Sequence, residues 1–306
     1  MKKAKRFLTG LLSAALALSL CAMPAMAEDV TGETTTTAPL ASAIDKSAKG
    51  TITIHKYEYN GNDDKNGTGV AGDANNVPTD AKDLEGATFT YYQVMTADEL
   101  VEYYNGKSTE KVGINTYVDE NGQILSAYAN KPNGSGKTGK NGIVKFGDGE
   151  TGLPVGLYVI IETETPAKVT TPVEPFLVSL PMANPTNKAE WMYDVYVFPK
   201  NATTYGKVTL EKKGRVGGGT PENLNGVTYK LEKKVKDDPE TWEEVTKNEQ
   251  TDEDLGTLKT TDGKITVSGL SQGTYRFIEQ SYDPDTGYIL DQTPIVRSEE
   301  HTSELQ

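Results

Sequence analysis

The sequence predicts an all-β protein made of β-sandwich domains in tandem. The composition favours strands and turns over helices, with 16 Tyr against 6 Phe and with 30 Gly and 15 Pro in 306 residues. Short alternating apolar and polar segments recur with turn residues between them, as in β-sandwiches. Two sets of these segments resemble each other at a period of about 150 residues, which indicates a weak internal repeat. We therefore expect two Ig-like domains.

Each set begins with an alternating strand that ends in Lys, contains a Gly-Ala/Val-Thr strand and closes on a Tyr-x-apolar-x-Glu strand. In the first set, the capping box from Thr96 to Glu99 predicts a short helix that ends near Tyr104. The strands of the first set are predicted at 51–57, 86–94, 157–163, 176–182 and 191–198, and those of the second at 206–212, 226–232, 264–268 and 274–280.

The N-terminus has the pattern of a secretory signal peptide. A basic start precedes the apolar run 7–20, and Ala25-Met26-Ala27 gives a small-x-small site, so we place cleavage after Ala27. An uncleaved membrane anchor is disfavoured because the apolar run is short, and a lipoprotein anchor at Cys21 because Leu20 is bulky. We therefore expect a secreted protein.

The charge and the cysteine content limit which partners and which covalent cross-links the protein can have. The net charge of -13 repels phosphate backbones, so we expect no nucleic-acid partner. Cys21 is the only cysteine and lies in the predicted signal peptide. Because secreted β-domains often use disulfides as covalent staples, any staple in the mature chain must be of another kind.

The last ten residues, RSEEHTSELQ, look like the translation of a sequencing adapter, so we expect the natural chain to continue beyond Val296. The predicted division is a signal peptide at 1–27, a flexible lead-in at 28–49, an N-terminal β-sandwich at 50–190, a motif and linker at 191–201, an incomplete second β-sandwich at 202–296 and the adapter-derived segment at 297–306.

Three polar side chains extend apolar stripes of the first set. Lys56 shares a strand face with Ile52 and Ile54, Glu162 follows Tyr158 and Ile160, and Asn184 continues the spacing of the stripe 176–182. Burying these groups separately would be costly, but together they permit a reaction. Burial favours neutral Lys and protonated Glu, so the amine can attack the Asn carbonyl while Glu polarises it and moves protons. The product is a Lys–Asn isopeptide bond; unrelated strand-edge residues are the alternative.

The second set repeats the pattern. Lys212 shares a face with Val208 and Leu210, and Glu279 continues the stripe of Tyr275 and Phe277. We expect the Asn partner of this pair on a last strand that the adapter-derived residues have replaced.

The segment 191–200, WMYDVYVFPK, alternates and then stops at Pro199, which cannot extend a strand ladder. Lys200 follows at the seam between the two sets. A fixed, accessible amine at a domain end suits an acyl acceptor, although a solvated linker Lys is the alternative.

Other chemistry is weakly indicated. Loop positions Asn62, Asp64, Asn66, Gly67 and Asp73 fit EF-hand-like spacing, but the flanks are not helical, so we expect a plain loop and no metal. The chain has 2 His, and neither a Ser/His/Asp set nor a Gly-rich phosphate loop is visible. We therefore predict a protein that is not an enzyme and needs no cofactor.

Together these residues resemble the SpaA-type and fimbrial shaft pilins of Gram-positive bacteria, which contain collagen-adhesin B-type (Cna-B-type) domains. The pilin motif of that family, Trp-x-x-x-Val-x-Val-Tyr-Pro-Lys, matches from Trp191 through Val195, Val197 and Pro199 to Lys200, with Phe for Tyr at position 198. The family's E-box, Tyr-x-Leu-x-Glu-Thr, resembles 158–163 and, less closely, 275–280.

The resemblance implies that Lys200 accepts the acyl group that a pilin-specific sortase delivers from the next subunit. It also implies a head-to-tail polymer on the cell surface, anchored to the cell wall in the full-length protein, with minor pilins and host surface ligands as further partners and a role in adhesion and colonisation. The alternative is a tip or base pilin, or a collagen-adhesin-like surface adhesin.

Overall fold

A computed structural model of the chain describes residues 40, 43–61, 69–72, 77–108, 112–148, 151–187, 189–281 and 289–299. The predicted signal peptide with Ala27, the EF-hand-like positions 62–67 and 73, and most of the adapter-derived segment lie outside these residues. The chain forms two compact units that divide between Ala202 and Thr203. Both units are built from strands, which confirms the all-β prediction.

The described residues of the first unit include the α-helix α1 (Ala97–Tyr104) and a 3-10 helix at Ile114–Thr116. Its strands are β1 (Lys49–His55), β2 (Tyr57–Glu58), β3 (Lys82–Asp83), β4 (Thr88–Met95), β5 (Asn133–Lys137), β6 (Ile143–Phe146), β7 (Leu153–Pro154), β8 (Gly156–Glu164), β9 (Phe176–Leu180), β10 (Met182–Ala183), β11 (Trp191–Met192), β12 (Asp194–Val197) and β13 (Lys200–Asn201).

Two main sheets enclose the core of the first unit. One has the order β12-β1-β6, with β7 also paired to β1, and the other has the order β5-β4-β8-β9. Because side chains alternate along a strand, Ile52 and Ile54 of β1 and Tyr158 and Ile160 of β8 enter one shared apolar cluster. The stripes that the sequence predicted on these strands are therefore the inner faces of a sandwich.

The opposite face of β8 is also covered. Val159 and Ile161 pack into a second apolar cluster with Leu100 and Val101 of α1. The helix begins with the predicted capping box, in which the Thr96 hydroxyl accepts from the Glu99 amide while the Glu99 carboxylate accepts from the Thr96 amide. The predicted short helix is confirmed.

The prediction that ordered structure begins near Gly50 is wrong. Ile44 is buried in the second apolar cluster, and the backbone amide of Asp45 donates to the Tyr193 hydroxyl at 2.8 Å. Lys46 also forms an ion pair with Asp98 of α1 at 2.6 Å. A single buried Ile in a polar, Thr-rich segment is too weak a pattern for sequence reasoning to detect.

Residues 191–201 do not form a linker, contrary to the prediction. β12 pairs in parallel with β1, Ile52 facing Val195 and Ile54 facing Val197. β13 then pairs in parallel with β2 in a small sheet of order β13-β2-β3. This segment closes the first unit, so the boundary lies after it.

The second unit contains β14 (Gly206–Glu211), β15 (Lys213–Gly214), β16 (Glu222–Asn223), β17 (Thr228–Asp237), β18 (Glu240–Glu244), β19 (Leu258–Lys259), β20 (Lys264–Leu270), β21 (Gly273–Ser281) and β22 (Ile295–Glu299). One sheet pairs β14 with β20, and another has the order β18-β17-β21-β22, with β19 also on β17. Val208, Leu210, Tyr275 and Phe277 meet in the core, as their spacing predicted.

β22 includes the first three residues of the segment that we interpret as adapter-derived. Its pairing with β21 is made by main-chain groups. The ladder is therefore independent of these side chains, and the interpretation of the segment stays a prediction. Among the described residues, no helix is both long and apolar enough to span a bilayer.

Candidate isopeptide site and acceptor lysine

A cluster of three polar side chains lies inside the first unit. Lys56, between β1 and β2, is 0% exposed; Glu162, near the end of β8, is 6% exposed; and Asn201, the last residue of β13, is 1% exposed. Each side chain continues an inward-facing stripe, since Lys56 follows Ile54 and Glu162 follows Ile160 at a spacing of two. The two residues that strand spacing paired are therefore brought together.

The contacts of the cluster are short and directional. Lys56 Nζ donates to Asn201 Oδ1 at 2.7 Å and lies 3.3 Å from Glu162 Oε1. Asn201 Nδ2 donates to both oxygens of Glu162, at 3.0 and 2.9 Å. Glu162 Oε2 also accepts from the Val173 amide at 2.7 Å. The Asn201 amide therefore turns its oxygen to the amine and its nitrogen to the carboxyl group.

The surroundings of Lys56 favour the neutral form of its amine. Burial, and to a smaller extent the charge of Lys200, lower the pKa of Lys56 to about 8 against the opposing effect of Glu162. Nζ also lies 5.5 Å from the centre of the Phe89 ring. A buried Lys whose pKa is this low is more readily converted to the neutral amine, which is the nucleophilic form.

Asn184 is not part of this cluster, so the prediction that it supplies the amide is wrong. Its Oδ1 accepts from the backbone amides of Thr186 and Asn187, at 2.9 and 3.1 Å. The backbone N–H of Asn184 donates to the Glu190 backbone carbonyl. The stripe ends at the buried Met182 because β10 ends at Ala183, and Asn184 begins a turn, as Asn before Pro commonly does.

The signal for Asn201 was available in the sequence. Val195 and Val197 face the core, and the same spacing of two continues through Pro199 to Asn201. We predicted that the strand ends at Pro199, and for that reason the spacing was not followed to Asn201. Pro199 does not end the pairing, because its carbonyl accepts from the Tyr57 amide at 3.0 Å and β13 follows at once.

Lys200 lies beside this cluster but faces away from it. Its neighbour Asn201 points to Lys56, so alternation directs Lys200 to the other face of β13. Lys200 is 3% exposed, which contradicts the expectation of an accessible amine. Of the other motif residues, Val195 and Val197 are buried in the core, and Trp191 donates through Nε1 to the Leu40 carbonyl at 3.0 Å.

The second unit contains the predicted pair. Lys212 Nζ lies 2.6 Å from Glu279 Oε2, which also accepts from the Tyr229 hydroxyl at 3.0 Å. Burial, and then the hydrogen bond and charge of Glu279, raise the pKa of Tyr229, so the phenol stays a donor. Among the described residues, Lys212 forms no hydrogen bond with an Asn side chain. The described residues also include no cluster of His, Cys, Asp and Glu that could hold a metal ion.

Comparison with known proteins places the chain in a family. Residues 47–202, about half of the chain, match the family described as Gram-positive pilin subunit D1, N-terminal domain. The chain belongs to the Gram-positive pilin subunits. Residues 206–301 of the pilin match a second family, SpaA, described as a prealbumin-like fold domain.

The pilin is similar to two named fimbrial subunits. It is 35% identical over 211 residues to a fimbrial subunit type 1 of Actinomyces viscosus, a match that covers 68% of this chain and 36% of the relative. It is 30% identical over 196 residues to a fimbrial subunit type 2 of Actinomyces naeslundii, covering 59% of this chain and 35% of the relative. The pilin therefore spans about a third of the length of these relatives.

Among solved structures, a mutant of the shaft pilin SpaA from Lactobacillus rhamnosus GG matches with 18% identity and a TM-score of 0.41. The match covers 82% of this chain and 94% of the other.

Proposed function

We propose that this pilin is a shaft subunit of a covalent surface pilus and that an isopeptide bond between Lys56 and Asn201 staples its first domain. The observation that carries the proposal is the contact of a buried amine, a buried amide and a buried carboxyl group in one cluster. Separately buried polar groups are destabilising, whereas this set is complementary in both hydrogen bonding and reactivity.

The bond forms in one intramolecular turnover. Glu162 takes a proton from Lys56 Nζ, and the neutral amine attacks Cγ of Asn201. The Cγ–Nδ2 bond then breaks, and Nδ2 leaves as ammonia after receiving a second Nζ proton through Glu162, whose oxygens contact Nδ2. Of the three protons on the Lys56 ammonium, one stays on the new amide, one leaves with ammonia and one remains on Glu162. The atoms and protons of the step balance without an external reactant. Because each chain forms the bond once, the step is not turnover catalysis.

The position of the bond suits a fibre under tension. It joins residues 145 apart and fixes β13, the strand that carries Lys200, to the start of the domain. In the pilus, Lys200 receives the acyl group from the neighbouring subunit through a pilin-specific sortase. Load that enters at Lys200 therefore meets a covalently fixed strand.

The burial of Lys200 implies that transfer requires a local opening. β13 pairs over only two residues, Lys200 with Tyr57 and Asn201 with Glu58. So short a ladder loosens at Lys200 at a small free-energy cost, while the bond at Asn201 keeps β13 beside β2. The sortase then reaches Nζ without unfolding the domain.

The second domain is proposed to form an equivalent bond in the longer natural chain. Lys212 and Glu279 are already in contact, and the Asn is expected beyond Val296. In the full-length protein we place the pilin on the cell surface, anchored to the cell wall, with copies of itself, minor pilins and host surface ligands as partners and a role in adhesion and colonisation. A tip or base pilin, or a collagen-adhesin-like adhesin, is the alternative.

Changing Lys200 to Arg tests the proposed polymerisation. The arginine keeps the charge but is a poor nucleophile, so we expect no transfer of a sorting-motif peptide by a pilin-polymerising sortase. The matched change Lys207→Arg, at an exposed lysine of β14, should leave transfer at the wild-type rate. Acylation is measured by intact mass and peptide mapping. The adhesin alternative would be favoured if the Lys200→Arg variant were acylated at the wild-type rate, or if the wild-type protein were not acylated at all.

A further inference from the structure

A row of three side chains crosses the small sheet β13-β2-β3. Lys200 is the ladder partner of Tyr57, and Tyr57 is the ladder partner of Asp83. Partners directly opposite each other in a ladder point to the same face. Lys200, Tyr57 and Asp83 therefore share the face opposite to that of Lys56 and Asn201, and the proposed isopeptide chemistry does not use them.

The Tyr57 ring is held by a hydrogen-bonded chain. Its hydroxyl lies 2.6 Å from His55 Nδ1, and His55 Nε2 lies 2.8 Å from Asp83 Oδ1. Because a carboxylate only accepts, Nε2 carries the proton, and in the neutral ring Nδ1 accepts from Tyr57. The two rings also pack at 4.2 Å between centres. Burial, and then the charge of Asp83, raise the pKa of Tyr57 to about 12, so its hydroxyl remains a donor at neutral pH.

Lys200 is buried beside this fixed ring. Tyr57 is itself buried, so the two neighbouring side chains pack within the protein instead of extending into water. A lysine amine sits on a flexible four-carbon stem, and acyl transfer is fast only when the reacting atoms are held in a productive arrangement. A fixed aromatic ring that is buried on the same face as Lys200 is suited to restricting its stem in this way.

We propose that Tyr57, fixed by His55 and Asp83, is the positioning residue of Lys200 in acyl transfer. The inference rests on the proposed role of Lys200 as the acceptor. His55 and Asp83 act through Tyr57, and none of the three forms a bond with the acyl group. The effect is on how often Nζ points at the acyl donor once the amine is accessible, while the Asn201–Lys56 bond keeps β13 beside β2.

Kinetics with a pilin-polymerising sortase and a sorting-motif peptide test the proposal. Loss of one anchoring hydrogen bond in Tyr57→Phe or His55→Ala should lower kcat for acylation of Lys200 by about fivefold, with little change in KM for the pilin. His55→Asn should recover most of the loss, because its Oδ1 can replace Nδ1 as the acceptor. Tyr103→Phe, a change in α1, is the matched control and should leave kcat unchanged.

A double variant separates positioning from general damage. If His55 acts through the Tyr57 hydroxyl, His55→Ala combined with Tyr57→Phe loses about fivefold in kcat, whereas independent effects would multiply to about 25-fold. Each variant is first checked for the ammonia loss of the wild type, so that damage to the Lys56 cluster is recognised. Multiplying effects, or an unchanged kcat in Tyr57→Phe, would overturn the proposal.

Carbon-13 relaxation of the Lys200 side chain gives a reading that needs no sortase. The order parameter of Cε should fall in Tyr57→Phe and in His55→Ala, and stay at the wild-type value in Tyr103→Phe. If the wild type accepts no acyl group, the proposed function fails, and this measurement still decides whether Tyr57 restrains Lys200. An equally ordered Cε in Tyr57→Phe would refute the restraint.

Discussion

Changing Glu162 to Gln is expected to leave the pilin at its full mass and to lower the free energy of unfolding of the first domain by about 5 kcal/mol. Gln cannot take the proton of Lys56 or return one to Asn201 Nδ2, so the bond does not form. The estimate is the chain entropy restored to the unfolded state when a loop of 145 residues is no longer closed. Denaturant unfolding of both proteins, read with intact mass, measures the effect.

Glu164→Gln is the matched control for this change. Glu164 lies on the same strand and accepts from the Thr88 hydroxyl at 2.9 Å, but it is exposed. We expect it to lose ammonia as the wild type does and to unfold within about 0.5 kcal/mol of it. An ammonia loss in Glu162→Gln, together with wild-type stability, would show that Glu162 is not needed.

Asn201→Ala and Asn184→Ala should behave oppositely. Without the Asn201 amide there is no acyl group for Lys56 to attack, so the chain keeps its full mass and loses about as much stability as Glu162→Gln. Asn184→Ala removes only turn hydrogen bonds, so it should keep the ammonia loss and cost about 1 kcal/mol. Intact mass under denaturing conditions distinguishes the two, and a full-mass Asn184→Ala chain beside a cross-linked Asn201→Ala chain would restore the original assignment.

Strand alternation explains why most of the site was predictable. Lys56, Glu162, Lys212 and Glu279 each continue the spacing of two inward-facing apolar residues of a strand, either within that strand or one residue beyond its end. Spacing therefore predicted the core-facing direction of these four side chains, and the structure shows that they meet as the pairs Lys56–Glu162 and Lys212–Glu279. The same spacing failed at Asn184, because β10 ends at Ala183 and Asn184 lies in a turn.

What the sequence could not supply was pairing between distant strands. The parallel ladders that join β12 to β1 and β13 to β2 bring residues more than 140 positions apart into contact, and no local pattern encodes that choice. Because of these ladders, the segment 191–201, which we predicted to be a motif and linker, forms the closing strands of the first domain. Lys200 is buried in this arrangement. The sequence had predicted an accessible amine, because Lys200 follows Pro199 at the boundary between the two sets of strands.

The mass of the wild-type chain from residue 28 onward, with identification of its linked peptides, tests the central claim most directly. The pilin should be short by one ammonia, not two, because among the described residues Lys212 forms a side-chain hydrogen bond with Glu279 and with no Asn. Digestion should release a branched peptide in which Lys56 is joined to Asn201. A full-length mass, or a branch at any residue other than Asn201, would contradict the account.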